Sequence, residues 1–254
     1  MVKRDNNRIT RTSGMNTWRA GCGESRTSGS EGGPQKPTRR KPDRALRPDP
    51  YTKLRGPTRG VYYELFVIID IFSRYVIAWT LAAAETGELA KEFIDAAIAA
   101  QDINPGQLAL HADRGTSMTS KPVAQLLVDL GVARSHSRPH VSNDNPYSEA
   151  GFKTLKYCPA FPGAFGSIHD ARAFCETFFA YYNHEHRHSG IVLHTPASVH
   201  YGTATQIRAE RANTLDAAYA ANPDRFRGRR PAPPALPTVA WINDPSRQAL
   251  IQYK

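Results

Sequence analysis

Apolar positions are spread unevenly along the chain, and their spacing changes character several times. Residues 62–70 (YYELFVIID) and 75–82 (YVIAWTLA) are near-continuous runs of β-formers, separated by the polar break Phe72-Ser73-Arg74. Two such runs with a short break predict an antiparallel hairpin. A shorter strand is expected at 51–54, ahead of the turn signals Gly56-Pro57 and Arg59-Gly60. In 86–100 (TGELAKEFIDAAIAA) the spacing turns helical, with Leu89, Phe93, Ala96, Ala97 and Ala100 on one face and Thr86 as N-cap. A strand over 108–112 then runs into Asp113. A helix over 122–130 closes at Gly131, and a short strand follows at 132–135. The next helix starts at Asn145 as N-cap with Pro146 in its first position. A long helix is expected over 169–184, facing the core with Phe174, Phe178 and Tyr181 or Tyr182. An Ala-rich helix over 203–221 precedes a basic, Pro-rich extension. The order ββ or βββ, then αβαβα, predicts an α/β fold in which a mixed sheet is flanked by helices.

Residues 1–48 have almost no apolar periodicity and are rich in Arg, Ser, Thr, Gly and Pro. Such a segment buries too little apolar surface to offset its ordering entropy and is expected to be disordered. The expected division is therefore 1–48 as a disordered basic segment, 49–205 as the folded core, and 206–254 as the Ala-rich helix with a basic Pro-rich tail. The formal charge of +10 follows that division. Residues 1–60 hold 15 basic and 5 acidic side chains, 61–204 hold 10 and 14, and 205–254 hold 8 and 4. A near-neutral core between basic flanks suits a polyanionic partner, because such flanks supply phosphate affinity without sequence readout; a solvated tail with no partner is the competing explanation. Three cysteines, Cys22, Cys158 and Cys175, form no disulfide framework and no zinc pattern, which fits a reducing cytosol. The chain shows neither a membrane-length apolar run nor a signal peptide.

Two acids carry the candidate chemistry. Asp113 ends an apolar strand and meets the turn Arg114-Gly115, while Glu149 sits just inside a helix, with 35 residues between them. Carboxylates converging from a strand end and a helix suit a hard cation such as Mg²⁺, and a pair of such ions can drive an in-line phosphoryl displacement. Each acid also has an ordinary explanation, Asp113 as a turn residue and Glu149 as the partner of Lys153 on a helix surface. Lys153 and Lys156 share a helix face with Glu149, and Arg114 adjoins Asp113, so all three are candidates for contact with a nucleic-acid backbone. His184, His186 and His188 alternate in NHEHRHSG, which invites a zinc reading. At a helix end the three would diverge, so DNA contact by His186, Arg187 and His188 is preferred.

Taken together, VIIDIFSRYVIAW, LHADRGTSMTS, SRPHVSNDNPYSEAGFKTLKY and FFAYYNHEHRHSGIVLHTP resemble the integrase-type catalytic core of IS3-family insertion-sequence transposases, the retroviral-integrase-like D,D(35)E group. The resemblance covers about residues 50–205. It implies a ribonuclease H-like fold, a triad of acids holding Mg²⁺ or Mn²⁺, two ions in all, and DNA cleavage and joining at element ends. It also implies a homo-oligomer assembled on element-end and target DNA in the bacterial cytoplasm, at the nucleoid. Asp113 matches the family's second acid and Glu149 its third. The first acid of the family stands in a Trp-rich strand motif, where this sequence reads RALRPDPYTKLRGP. Pro50 occupies the expected position, with Asp49 one residue early, and a one-residue shift in a strand reverses side-chain direction. Asp49 is the candidate first acid and metal ligand. Asp70 is a substitute, although the family carries an acid there beside its catalytic one. A replaced or frame-shifted segment joined to an intact core near residue 50 accounts for this departure. Such a chain could be inactive through loss of the first acid. The alternatives to a strand transferase are a ribonuclease H-like nuclease without joining and a non-catalytic DNA-binding remnant.

Overall fold

The computed structural model describes residues 53–101, 103, 106–138 and 144–242. The expected disorder of 1–48 and the candidate Asp49 lie outside the described residues. Strands β1 (Lys53–Arg55), β2 (Tyr62–Ile69) and β3 (Val76–Ala82) form an antiparallel sheet in that order. The predicted hairpin is β2–β3, with Leu65 opposite Leu81 and an irregularity between Ile68 and Ile69. Its turn closes with the Asp70 amide donating to the Tyr75 carbonyl at 2.8 Å and the Arg74 amide donating to the Asp70 carbonyl at 2.7 Å. Arg74 adopts φ 66°, the left-handed conformation that lets so short a connection reverse.

Helix α1 (Gly87–Ala99) begins where expected, with Thr86 Oγ1 accepting from the Leu89 amide at 3.2 Å. Its buried face is Ala90, Ile94 and Ala97, which keeps Ala97 of the expected set and replaces Leu89 and Phe93 by the residues that follow them. The alanines widen the apolar stripe enough for either face to look inward, and packing against α2 (Lys121–Asp129) selects between them. Helix α2 connects β4 (Ala109–Ala112) to β5 (Ala133–His136), which pair in parallel. The connection turns at Gly131, with φ 63°. Among the described residues this pair forms a ladder of its own, separate from the antiparallel three.

The long apolar run of β2 is explained by burial on both sides. Tyr63 and Leu65, with the partly buried Val67 and Ile69, join one core with Leu155 of α3 (Pro146–Lys156) and Cys175, Phe178 and Tyr182 of α4 (Ile168–His184). Phe66 and Ile68 pack instead against Ile94 of α1 and Leu127 of α2. Alternation along one strand feeds two cores, so both parities must be apolar. Sheet between helix layers is the ribonuclease H-like arrangement expected above. On α4 it is Tyr182, not Tyr181, that is buried, and burial pushes the Cys175 thiol up to about 12, leaving it an inert apolar filler.

Short helix α5 (Pro196–His200) locks onto the hairpin: the His200 ring stacks on Tyr75 at 4.2 Å, and its Nδ1 lies 3.3 Å from Asp70 Oδ2. Helix α6 (Ala204–Ala221) then leaves the core with Ala204 as its one buried residue. The Pro-rich segment doubles back along it. None of the described helices is long and apolar enough to cross a membrane.

Candidate active site

Asp113 follows directly on β4, and its exposed carboxylate accepts from Ser137 Oγ at 2.9 Å just past β5. Parallel pairing of β4 with β5 brings these two positions together, since it sets His111 beside Ser135 and Ala112 beside His136. His111 then ties the strand to the approach to α3. Its Nε2 lies 2.9 Å from the Asp144 carbonyl, an acceptor, so Nε2 carries a proton, and Nδ1 shares a hydrogen bond with Ser135 Oγ at 2.8 Å.

Asp144 is buried at 1 % exposure and receives three bonds from Arg138: the amide at 2.7 Å, Nε at 2.9 Å and Nη2 at 2.9 Å. This bidentate clasp spans the link between β5 and α3. It fixes the approach to the helix, which starts at Pro146, three residues ahead of Glu149. The helix opens on Asn145 and Pro146 as expected, although the Asn145 side chain makes no capping bond. Glu149 is half-buried in the first helical turn, where a negative charge opposes the helix dipole favourably. Lys153 and Lys156 follow in the last turn on the same face. The Arg114 Nε donates to the Ser137 carbonyl at 3.1 Å, and its side chain stays exposed beside Asp113.

Asp70 is committed elsewhere. Its Oδ1 accepts from the Phe72 amide at 3.0 Å and its Oδ2 from Ser73 Oγ at 2.7 Å, beside His200. These contacts build the hairpin turn and dock α5. Among the described residues no three His, Cys, Asp or Glu side chains stand together as a metal-holding group. That applies to the histidines too. His186 stacks on Tyr182 with ring centroids 5.8 Å apart, and His188 meets Tyr182 edge-on at 4.7 Å, in an aromatic cluster rather than a ligand set. Burial lowers His186, and burial together with His186 and Arg74 pushes His188 down to about 3. Both are neutral at neutral pH, which leaves the exposed Arg187 as the fixed charge of the three.

The histidines have a consequence for stability. Unfolded, His188 titrates near 6.5, so between about 6.5 and 3 the unfolded chain holds the extra proton and stability falls as pH drops through that window. The urea midpoint is therefore expected to fall from pH 7 to pH 4. The fall should be shallower in His188→Phe, which keeps a ring against Tyr182. Equal slopes in the two proteins would refute the assignment.

Several supporting residues carried no local signal in the sequence. Glu85 Oε1 accepts from Ser117 Oγ at 2.5 Å and from the Ser117 amide at 3.3 Å, which holds the turn that follows Asp113. Tyr147, two residues before Glu149, lies under the Arg74 guanidinium at 3.9 Å and donates its hydroxyl to the Trp241 carbonyl at 2.8 Å. The 32 and 94 positions separating Ser117 from Glu85 and Trp241 from Tyr147 put these contacts beyond any motif.

Two family models, each described as an integrase core domain, match residues 42–142 and 130–196. The transposase for insertion sequence element IS904 of Lactococcus lactis subsp. lactis (strain IL1403) is 29 % identical over 141 residues, a match that spans 55 % of each protein. Among solved structures, the catalytic core domain of BIV integrase covers 61 % of this chain and 93 % of its own, with 17 % identity and a TM-score of 0.42. The catalytic core domain of HTLV-2 integrase, in complex with magnesium, covers 59 % and 91 %, with 16 % identity and a TM-score of 0.41.

Proposed function

Since the chain belongs to the insertion-sequence transposases with an integrase core domain, we propose that it cleaves DNA at element ends and joins the freed 3′ ends to target DNA, with Asp113 and Glu149 as metal ligands. One observation carries this reading. The two acids fall one in each matched stretch, Asp113 at the end of β4 and Glu149 in the first turn of α3, with 35 residues between them. The donors are carboxylate oxygens alone, which suits Mg²⁺ or Mn²⁺ better than zinc; such ions accept one or two protein carboxylates and fill their remaining positions with water and substrate phosphate. Bound there, they would supply charge stabilisation for phosphoryl displacement. The chain's own part is positional. Ser137 orients the Asp113 carboxylate, the Arg138–Asp144 clasp sets the start of α3, and Lys153, Lys156 and Arg114 offer cations to the DNA backbone. With Asp70 engaged in the hairpin turn, Asp49 is the remaining candidate for the third carboxylate. Assembly as a homo-oligomer on DNA belongs to the same proposal.

The test is incubation of the purified chain with labelled duplex carrying the element ends, with Mg²⁺, with Mn²⁺ and with chelator. Metal-dependent cleavage followed by joining is the expected result. Cleavage without joining would reassign the chain as a nuclease, and duplex binding with no cleavage in either metal would make it a DNA-binding remnant.

A further inference from the structure

The C-terminal part of the chain builds an arm. Along α6 only Ala204 is buried, which is unusual for an 18-residue helix, since such elements depend on tertiary packing for stability. Its support comes from the segment that follows. A short 3₁₀ helix, Pro223–Phe226, leads into Arg227 and Gly228, both left-handed at φ 51° and 70°, and the chain reverses. Tyr219 donates its hydroxyl to the Gly228 carbonyl at 3.3 Å, and its ring packs on Phe226 at 5.8 Å. Arg230 grips Asp216 through Nε at 2.7 Å and Nη2 at 2.8 Å, and Arg208 donates to the carbonyls of Pro234 at 2.9 Å and Pro233 at 3.2 Å.

These contacts are in register for an extended strap running antiparallel to a helix. From Asp216 back to Arg208 the helix advances about 12 Å at 1.5 Å per residue. From Arg230 to Pro234 a polyproline-like chain covers about 12 Å at 3.1 Å per residue. The prolines thus match the strap to the helix with half as many residues and without donors of their own to satisfy. The strap continues to Trp241, whose carbonyl meets Tyr147 beside the candidate site.

What the arm presents at its far end is charge. Arg208, Arg211 and Arg230 are occupied by carbonyls and Asp216, and Glu210 by Gln206. Arg225, Arg227 and Arg229 surround the reversal, are exposed, and take part in no ion pair among the described residues. We propose that this tip is a second contact for the phosphate backbone of duplex DNA, remote from the strand-transfer site. The inference rests on the DNA reading above and extends it to a surface that reading does not use. The occupant follows from charge: three unpaired guanidiniums suit a polyanion, and among the described residues no large exposed apolar side chain adjoins them for a protein partner to bury. The reach is set by α6, about 27 Å long, and by the strap from Arg229 to Tyr147, at most about 37 Å. At 3.4 Å per base pair the strap lets the tip meet DNA no farther than about 11 base pairs from Tyr147.

The experiment measures duplex affinity of the full chain by anisotropy across a salt series, for wild type and R225A/R227A/R229A, on mixed-sequence duplexes of about 30 and about 6 base pairs. Three lost phosphate contacts should lower the salt slope on the long duplex by about 2.7, so that a fourfold rise in salt costs the variant about 40-fold less affinity than it costs wild type. On the short duplex, which cannot span both contacts, the two proteins should bind alike. Arginine-to-lysine replacement at the same three positions should restore the slope. An unchanged slope on a duplex that wild type binds would overturn the arm contact alone. Equal losses on both duplexes would also overturn it, because the tip would then belong to the central site. Loss of self-association in the variant, with duplex binding intact, would give the tip to a second copy of the chain. Failure of wild type to bind either duplex would overturn the DNA reading as a whole.

Discussion

Glu149→Gln is expected to reduce metal-dependent strand cleavage by at least about a thousandfold while leaving the fold and duplex affinity nearly unchanged. The carboxylate sits in the first turn of α3, half-buried, with Asp144 and Tyr147 fixing the helix start on either side of Pro146. Glutamine preserves volume and helix propensity, so stability should move by no more than about 0.5 kcal/mol. The ligand charge is lost, and several kcal/mol of transition-state stabilisation, at 1.36 kcal/mol per decade, is the source of the thousandfold figure. Affinity for Mn²⁺, measured without DNA, should fall with it. Cleavage and Mn²⁺ affinity both unaffected by the change would remove Glu149 from the site.

The second large effect lies far from the chemistry. Asn183 of α4 is buried and satisfies both backbone groups of Val76, its Oδ1 accepting from the amide at 2.9 Å and its Nδ2 donating to the carbonyl at 3.0 Å. A β-strand residue with no ladder partner in this direction would otherwise bury an orphaned donor and acceptor. Asn183→Leu keeps the volume and removes both bonds, so two desolvated groups at about 1 to 3 kcal/mol each should cost about 2 to 6 kcal/mol. Urea unfolding should show a lower midpoint at an unchanged slope. A midpoint within error of wild type would mean that water or a shifted strand replaces the amide.

Local chemistry made much of this molecule legible beforehand. Thr86 announces α1 and then caps it, Pro146 stands where helices accept proline, and Gly131 takes the left-handed turn that ends α2. The continuous apolar run of β2 marked a strand, and the structure adds why it is continuous: Tyr63 and Leu65 face one core while Phe66 and Ile68 face the other. The faces of the helices were less legible. On α1 the alanines permit two inward faces, and on α4 adjacent tyrosines offer the same choice; in each case the neighbouring element decided.

The candidate site divides along the same line. Asp113 and Glu149 were visible because each stands at a local signal, a strand end and a helix start, at a telling separation. The groups that hold them in place were not. Glu85 on Ser117, Arg138 on Asp144 and Arg74 over Tyr147 join residues by hydrogen bonds or ring contacts that no propensity encodes, because each partner alone is an ordinary polar or charged residue. The strap shows this most clearly. Its prolines marked it as extended and its arginines as basic. That it returns along α6 and ends against Tyr147 depends on Arg230 finding Asp216 and Arg208 finding the Pro233 and Pro234 carbonyls. By itself the sequence determined the elements, the family resemblance and two candidate acids, since these rest on short-range spacing. Only the tertiary structure decided that Asp70 is a turn-builder, that His186 and His188 are neutral packing groups, and that three arginines stand apart on a braced arm, because burial and pairing are properties of neighbours brought together from distant parts of the chain.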